Sequence, residues 1–322
     1  MNEKQLEIVE QYDVEVKDSF RSRGCILLET DRGLLTIVPY GGSPLRLAWE
    51  LELQKKLKSE GYENVDLIIP NKEEGLISYD KYRSPFIIKH SFEGRECCLK
   101  EEMDIERACS NLGVLHRILR RFQDDKVEKR ETPSIPDLLK NRKTELRRIR
   151  NYIKRSGRKT EFELTFTSCY GEFYEEAENA LNKAVKLNID YKKNGYGICH
   201  GAYHQHNILM LKEGEATLNL GQFHYNQQIM DLYNLMRKAM EKNQFQRRIF
   251  EAALKGYERE IPLKDEDFYM LHILFSFPEK FWKISNQYYN SKKCWMPPKN
   301  LDKLKRTIEQ NENRKRFIRE FR

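Results

Sequence analysis

The sequence lacks several features that would place it in a specialised class of protein. No apolar run approaches the roughly 20 residues that a transmembrane helix needs. The first residues, MNEKQLEIVEQYDVEV, are charged throughout and do not show the basic-then-apolar order of a secretory signal. The seven cysteines are scattered and form no CxxC pair, so they indicate neither a zinc site nor a redox motif. We therefore expect a cytoplasmic protein with reduced thiols and no membrane partner.

Charge is plentiful and unevenly placed. Charged residues make up 34% of the 322 residues and hydrophobic residues 39%, which is typical of a globular protein with a charged surface. The net charge is +8, and much of the excess lies in residues 140–159 and in the tail from Lys303. Leu146, Ile149 and Ile153 recur at helical spacing, which places the basic residues on solvated helix faces. Aromatic residues do not interleave with the basic ones as a base-stacking platform requires, so nucleic-acid binding is disfavoured.

Up to about residue 90 the sequence alternates β-like runs with one helix. Two apolar, partly β-branched runs, 24–30 and 34–40, flank Asp31-Arg32-Gly33, which is typical of a hairpin. Ser43 before Pro44 marks a helix start, and the apolar stripe that follows ends near Gly61. Further strands are predicted at 65–70, 75–79 and 85–90. The predicted order is therefore two strands, a helix and three strands.

From about Glu101 the apolar pattern becomes mainly helical, with one long helix predicted from about 171 to 187. A β-rich island at 196–200, 208–212 and 215–220 interrupts the helices. Together these elements predict an α+β, protein-kinase-like fold of two lobes. The small β-rich lobe would span residues 1–89, and the helical lobe residues 90–322, with a catalytic-loop-like hairpin around 196–221. Because the tail from Lys303 is charged and weakly apolar, we expect the chain to fold without the residues after Asn300.

The strongest motif is the run from Ile198 to Leu209, ICHGAYHQHNIL. It resembles the catalytic loop of aminoglycoside and choline phosphotransferases, in which a strand leads to His-Gly-Asp and an Asn opens the next strand after four residues. In that family the Asp orients the substrate hydroxyl and the Asn holds a metal ion on the nucleotide phosphates. The spacing here matches, and Asn207 takes the place of the metal-binding Asn. Ala202, however, stands where the family has the Asp.

The histidines of this run have several possible roles. By the resemblance, His200 is expected to shape the loop as a buried scaffold. His204 or His206 could act as a replacement base. A metal site formed by His204, His206 and His224 is disfavoured, because no carboxylate accompanies them at ligand spacing.

Two more positions of the phosphotransferase pattern are altered. Residues 217–223, TLNLGQF, resemble the loop whose first Asp chelates magnesium, and Asn219 takes that place with a neutral amide that is a poorer ligand for a hard cation. In the first lobe, Val38 stands where the family has the lysine that pairs the nucleotide phosphates, and no lysine lies between residues 18 and 54. Glu50 or Glu52 would pair that lysine, but we expect both as exposed helix-face residues. Asp231 matches the Asp that braces the catalytic loop, so it is expected to be structural.

Over most of its length the chain resembles the CotS-type spore coat family, whose members share this fold. The likeness rests on the order and spacing of seven segments: 12–18, 23–25, 61–66, 86–96, 111–116, 200–207 and 231–237. The resemblance implies a protein made during sporulation, associated with the spore coat, and partnered by other spore coat or sporulation proteins.

The altered positions predict a pseudokinase that acts as a non-catalytic coat component, with no nucleotide or metal cofactor. Two alternatives stay open. One is a small-molecule phosphotransferase that transfers phosphate from Mg-ATP to an alcohol or amino sugar, with Asn219 still holding magnesium. The other is a polyanion-binding protein that uses the two basic stretches.

Overall fold

An antiparallel sheet forms the first part of the chain. The computed structural model describes residues 3–22, 24–122, 132–187, 195–290 and 298–321. The strands of this sheet are β1 (Val16–Ser22), β2 (Cys25–Thr30), β3 (Gly33–Pro39), β4 (Ile68–Ile69), β5 (Ser78–Tyr79) and β6 (Pro85–His90). Their order is β1-β2-β3-β6-β4, and β5 also pairs with β6. Two helices accompany the sheet, α1 (Glu3–Val9) and α2 (Pro44–Ser59).

The sheet is covered on both faces. Leu35, Ile37 and Ile88 point to the face that packs against Ile8 of α1. Ile87 points to the opposite face, where Leu47 and Leu51 of α2 pack. Because side chains alternate between the faces of a strand, Ile87 and Ile88 of β6 contribute to different clusters. Residues of β6 whose side chains point to the same face as Ile87 therefore face α2.

The hairpin and the first long helix are confirmed. β2 and β3 pair from Ile26↔Ile37 to Thr30↔Gly33. The side chain of Ser43 accepts a hydrogen bond from the backbone N–H of Arg46 and so caps α2, with Pro44 in its first turn. The predicted order nevertheless missed β1 and α1. β1 is an edge strand and mostly exposed, so it shows no alternation of apolar residues in the sequence.

A second, smaller β region follows. It comprises β7 (Arg95–Glu96), α3 (Glu102–Leu119), β8 (Tyr196–Cys199), β9 (Ile208–Met210), β10 (Glu215–Thr217) and β11 (His224–Gln227). Strands β10, β9 and β7 form one sheet, and β8 pairs with β11. The predicted β-rich island is thus confirmed, while the two-residue strand β7 was not predicted.

The remaining elements are helices. They are α4 (Ile135–Arg155), α5 (Glu161–Lys186), α6 (Ile229–Lys242), α7 (Arg247–Glu258), α8 (Asp265–Ser276), α9 (Glu279–Asn290), α10 (Pro298–Glu309) and α11 (Asn311–Arg319). Thr160 and Glu163 form a capping box that starts α5, ten residues before the predicted start near residue 171.

The chain divides into two compact units. The first comprises Met1–Arg130, Gly197–Tyr225 and Lys255–Ile261, and the second Glu131–Tyr196, Asn226–Leu254 and Pro262–Arg322. The predicted lobe boundary after residue 89 falls inside the first unit and stays a prediction. Among the described helices, none is both long and apolar enough to cross a membrane.

The C-terminal helices contribute to the core of the second unit, although the sequence of the tail is only weakly apolar; the expectation that the chain folds without the residues after Asn300 stays a prediction. Leu304 and Phe317 are buried. Arg314 is also buried and donates hydrogen bonds to the carbonyl oxygens of Phe275 (2.9 Å) and Ser276 (3.0 Å). Removing these residues would leave buried acceptors without partners.

The cysteines of the described ranges are free thiols. Cys294, and Arg23 of the second segment that carries the family resemblance, lie outside the described residues.

Candidate functional site

The loop from His200 to Asn207 connects β8 to β9 and is held by its own backbone and side chains. Gly201 has φ +77°, and a Cβ there would overlap the carbonyl oxygen of Gln222. His200 is buried; its Nε2 atom lies 3.0 Å from the carbonyl oxygen of Leu218, and its Nδ1 atom accepts from the backbone N–H of Ala202 at 3.2 Å. These contacts fix Nε2 as the protonated nitrogen. Nδ1 of His200 therefore holds the turn within the loop, and Nε2 ties the loop to Leu218, which directly follows β10.

Three of the predicted site residues lie together. Asn207 donates from Nδ2 to the carbonyl oxygen of Ala202 at 2.9 Å. Its Oδ1 atom accepts from Nδ2 of Asn219 at 2.8 Å. The two residues that the sequence resemblance places at metal-ligand positions thus bind each other, amide to amide. At position 202 the side chain is a methyl group, which can neither accept a proton nor orient a hydroxyl.

Asn219 adopts a left-handed backbone conformation, with φ 61° and ψ 54°. Asn tolerates this region better than most residues because of its short polar side chain. The backbone N–H of Asn219 donates to Oδ2 of Asp66 at 2.8 Å. The carboxylate of Asp66, a residue that sequence reasoning did not single out, therefore fixes the backbone at the start of this loop.

The site contains a lysine that the sequence did not reveal. Val38 lies on β3 opposite Ile87 of β6, and Thr36 lies opposite Lys89. The ammonium nitrogen of Lys89 lies 2.5 Å from Oε1 of Glu50 and 3.4 Å from Oδ2 of Asp66. Val38 lies on its predicted strand, and its assignment to the place of the family lysine stays a prediction. The neighbouring strand β6 supplies a lysine to the same face of the sheet.

Glu50 also differs from expectation. It is 3% exposed and faces the sheet from α2, whereas the sequence suggested an exposed helix face. A Cβ at Gly221 would lie 2.9 Å from Oε2 of Glu50, so a larger residue there would press on this carboxylate. Glu52, two residues further, is exposed, as predicted.

The buried triad of Lys89, Glu50 and Asp66 has one ammonium for two carboxylates. Burial lowers the pKa of Lys89, but the carboxylates of Asp66 and Glu50 outweigh this and raise it. Burial raises the pKa of Asp66 to about 6; Lys89 opposes this rise, and the charge of Glu50 adds to it. The triad therefore carries an uncompensated negative charge that protonation of Asp66 removes.

Arg46 of α2 fixes the loop that follows Asn219. Its Nε atom donates to the carbonyl oxygen of Gly221 at 2.9 Å, and its Nη2 atom donates to that of Phe223. Its guanidinium carbon lies 4.3 Å from the centre of the Phe223 ring. Through Arg46 and Glu50, the same helix contacts both the loop and the lysine.

The histidines at the edge of the loop form pairs. Nδ1 of His206 lies 2.7 Å from Oε2 of Glu96 on β7, and the rings of His204 and His206 meet edge-on at 5.7 Å. Nδ1 of His224 lies 3.0 Å from the carbonyl oxygen of Gln222. In the described part of the chain, no group of three or more His, Cys, Asp or Glu side chains is placed to hold a metal ion. The absence of a metal or nucleotide cofactor stays a prediction.

Asp231 lies in the second unit. It is buried in the first turn of α6, and its backbone N–H donates to the carbonyl oxygen of Gln228 at 3.1 Å. Its role as a brace for the catalytic loop stays a prediction.

A family model described as "Spore coat putative kinase YutH" matches residues 5–321. No curated protein matches the chain.

Solved structures share the fold. An aminoglycoside phosphotransferase from Alicyclobacillus acidocaldarius has a TM-score of 0.85 at 15% identity, with 98% of this chain and 94% of that chain covered. A spectinomycin phosphotransferase has a TM-score of 0.69 at 14% identity, with 98% of each chain covered. A choline kinase from Streptococcus pneumoniae has a TM-score of 0.53 at 12% identity, with 95% and 96% covered. The aminoglycoside-phosphotransferase-like, α+β fold predicted from the sequence is confirmed.

Proposed function

Because this chain belongs to the family described as "Spore coat putative kinase YutH", we propose that it is a pseudokinase that serves as a non-catalytic component of the spore coat. The observation that carries this proposal is the hydrogen bond between Asn219 and Asn207. The partners would be other spore coat or sporulation proteins. Synthesis in the cytoplasm remains part of the same proposal.

The amide pair is poorly suited to magnesium. Mg²⁺ requires oxygen ligands in a near-octahedral arrangement and in kinase sites is usually held by carboxylates. Here the oxygen of Asn207 accepts a hydrogen bond from Asn219, so one ligand position is occupied by an N–H donor. A cation would have to break this bond and would gain only neutral oxygens. Without the metal, the triphosphate loses its main counter-charge.

The lysine is equally engaged. Lys89 is 4% exposed and lies between two carboxylates. An ammonium in this position ties α2 to the sheet and, through Asp66, to the backbone of Asn219. It supports the loop from within the protein instead of offering its charge to a phosphate. The lysine–glutamate ion pair thus serves a structural role in this proposal.

One alternative is favoured by a specific observation. The ion pair of Lys89 and Glu50 is the kind of contact that active phosphotransferases of this fold require, although here the lysine comes from β6. If the chain were active, it would transfer phosphate from Mg-ATP to an alcohol or amino sugar. His206, oriented by Glu96, would then be a candidate base in place of the Asp that Ala202 replaces.

A nucleotide titration separates the two functions. Binding to the folded state alone stabilises a protein by RT ln(1 + [L]/Kd), about 2.7 kcal/mol at a hundredfold excess of ligand over Kd. We expect millimolar ATP with magnesium to leave the melting temperature unchanged and no phosphate to be released. Asn219→Asp alone should not gain a rise in melting temperature with ATP, because Lys89 is still bound by its carboxylates. It should also release no phosphate, because Ala202 is still unable to orient a hydroxyl. A magnesium-dependent rise in the melting temperature of the unmodified protein would favour the phosphotransferase.

The coat assignment needs its own test. A fluorescent fusion, expressed at its native level in sporulating cells, should collect at the spore surface and co-purify with the coat. The same should hold for Asn207→Ala, since the proposal requires no metal ligand. A fusion that stays diffuse through spore maturation would contradict the coat assignment, whatever the nucleotide titration shows.

A further inference from the structure

Helix α4 and the turn after it carry a concentrated excess of positive charge. Residues 140–159 contain ten lysine or arginine residues and one carboxylate, that of Glu145, which gives a net +9 against +8 for the whole chain. The rest of the chain is therefore close to neutral. Charge concentrated in this way creates a strong local potential that attracts anionic partners.

Three of these ten cations are engaged within the second unit. Arg142 lies 2.5 Å from Glu279, and Lys143 lies 2.6 Å from Glu178. The guanidinium of Arg150 lies 5.0 Å from the centre of the Tyr170 ring. The other seven are exposed, and within the described part of the chain their side chains form no ion pair or hydrogen bond: Lys140, Arg147, Arg148, Lys154, Arg155, Arg158 and Lys159.

Some of the free cations line a groove between α4 and α5. The groove has a volume of about 760 Å³. Lys140 and Arg147 line it from α4, and Lys186 from the end of α5. The apolar side chains of Leu181 and Val185 lie in the same lining, and Val185 is 62% exposed. The groove thus combines uncompensated positive charge with apolar surface.

The carboxylates of the lining already have partners. Asp137 accepts a hydrogen bond from the hydroxyl of Ser134 at 2.6 Å, and Glu178 pairs with Lys143. Neither carboxylate forms an ion pair with Lys140, Arg147 or Lys186. An incoming acidic segment would therefore meet cations without ion-pair partners and apolar side chains in the same lining.

We propose that this groove binds an acidic segment of a partner protein that also presents apolar side chains. Acidic residues of the segment would pair with Lys140, Arg147 and Lys186, and an apolar side chain would cover Val185. A nucleic-acid backbone would use only the charges. Tyr174 offers no free face for a base, since it stacks on Tyr170 at 5.2 Å and lies beneath Lys143. The groove belongs wholly to the second unit, so this proposal does not depend on the kinase-like site.

Binding of three labelled probes, followed by fluorescence anisotropy, tests the proposal. The first is a peptide of about 18 residues with glutamates throughout and leucines at helical spacing, the second is polyglutamate of the same length, and the third is single-stranded DNA. We expect the amphipathic peptide to bind at least about tenfold more tightly than polyglutamate, because only it can cover the apolar lining. Tighter binding of the DNA than of the amphipathic peptide would overturn the proposal in favour of a nucleic-acid site.

Matched variants locate the binding. Lys140→Glu combined with Arg147→Glu should weaken binding of the amphipathic peptide at least about tenfold. The control, Arg306→Glu combined with Arg319→Glu, makes the same charge change at exposed residues of α10 and α11 and should have little effect. Val185→Ser should weaken binding of the amphipathic peptide but leave binding of polyglutamate unchanged. Equal losses in the two double variants would show that only overall charge matters, and the groove would be rejected.

Discussion

The ammonium nitrogen of Lys89 on β6 lies 2.5 Å from Oε1 of Glu50 on α2, and both side chains are almost fully buried. Asp66 approaches the same ammonium at 3.4 Å and accepts a hydrogen bond from the backbone of Asn219. A buried charge without a partner is costly, so these residues depend on each other. The helix, the sheet and the loop that starts at Asn219 are thereby joined by one network.

Lys89→Met should destabilise the protein strongly, because it leaves the carboxylates of Glu50 and Asp66 buried without a cation. We expect the free energy of unfolding in urea to fall by about 3–5 kcal/mol. Lys55→Met is the control. Lys55 pairs with Glu52 at the surface of α2, the helix that carries Glu50, so this substitution should cost at most about 1 kcal/mol. Adding Glu50→Gln to Lys89→Met should recover part of the loss. Similar losses for the two lysine variants would contradict the structural role of the ion pair.

Asp66 should make stability depend on pH below neutrality. Burial raises its pKa to about 6, from an ordinary value of 3.8. Between these values the folded protein binds a proton that the unfolded chain releases, so the contribution of this group to stability falls as the pH rises from about 4 to about 6. Relative to Asp66→Asn, the unmodified protein should therefore gain about 1 kcal/mol on going from pH 7 to pH 5. Urea denaturation of both proteins at the two pH values measures this; a stability difference that does not change with pH would show that Asp66 stays ionised.

Gly201→Ala should destabilise the loop that carries His200 and Asn207. The backbone at Gly201 has φ +77°, and the new Cβ would overlap the carbonyl oxygen of Gln222. Strain of this kind costs on the order of 1–3 kcal/mol for the conformation alone, before the overlap is relieved. At Gly157, in contrast, a Cβ meets nothing within 4 Å and φ is not positive, so Gly157→Ala should change stability by less than about 0.5 kcal/mol. Equal melting temperatures for the two variants would mean that the loop adjusts freely.

Local signals in the sequence predicted much of the fold. Ser43 before Pro44 located the start of α2, and Asp31-Arg32-Gly33 located the β2–β3 hairpin. The spacing from His200 to Asn207 placed these residues in one loop between two strands, as the structure has them. Each of these features is set by a few neighbouring residues, whose backbone preferences do not depend on the rest of the chain.

The lysine was missed because it depends on strand register. Lys89 is about 50 positions away from Val38 and reaches the same face only because β6 pairs with β3. A signal was nevertheless present. Lys89 interrupts the apolar run of β6. It lies two positions from Ile87 and so points to the same buried face, where its charge requires a partner. Register is a long-range property that composition and local periodicity do not reveal.

The packing of the tail is not evident from the sequence for a related reason. Helix α11 is highly charged, and its sequence suggests a solvated element. It is buried through Asn311, Arg314 and Phe317, which recur every three residues on one side. Two of these three are polar and find their partners in other helices, which apolar patterning alone does not detect.

Ending the chain after Asn300 should therefore destabilise the second unit, contrary to what the sequence suggested. The truncation removes Leu304 and Phe317 from the core, together with the hydrogen bonds of Arg314 to Phe275 and Ser276. Phe317 contacts the rings of Phe250 and Phe275 edge-on, at 5.1 and 5.3 Å, and the single change Phe317→Ala should cost about 3–5 kcal/mol. Arg319→Ala, at an exposed position of the same helix, is the matched control and should be nearly neutral. Thermal unfolding of the three proteins decides the matter: a truncated chain that melts cooperatively at the temperature of the full-length protein would show that α10 and α11 do not stabilise the fold.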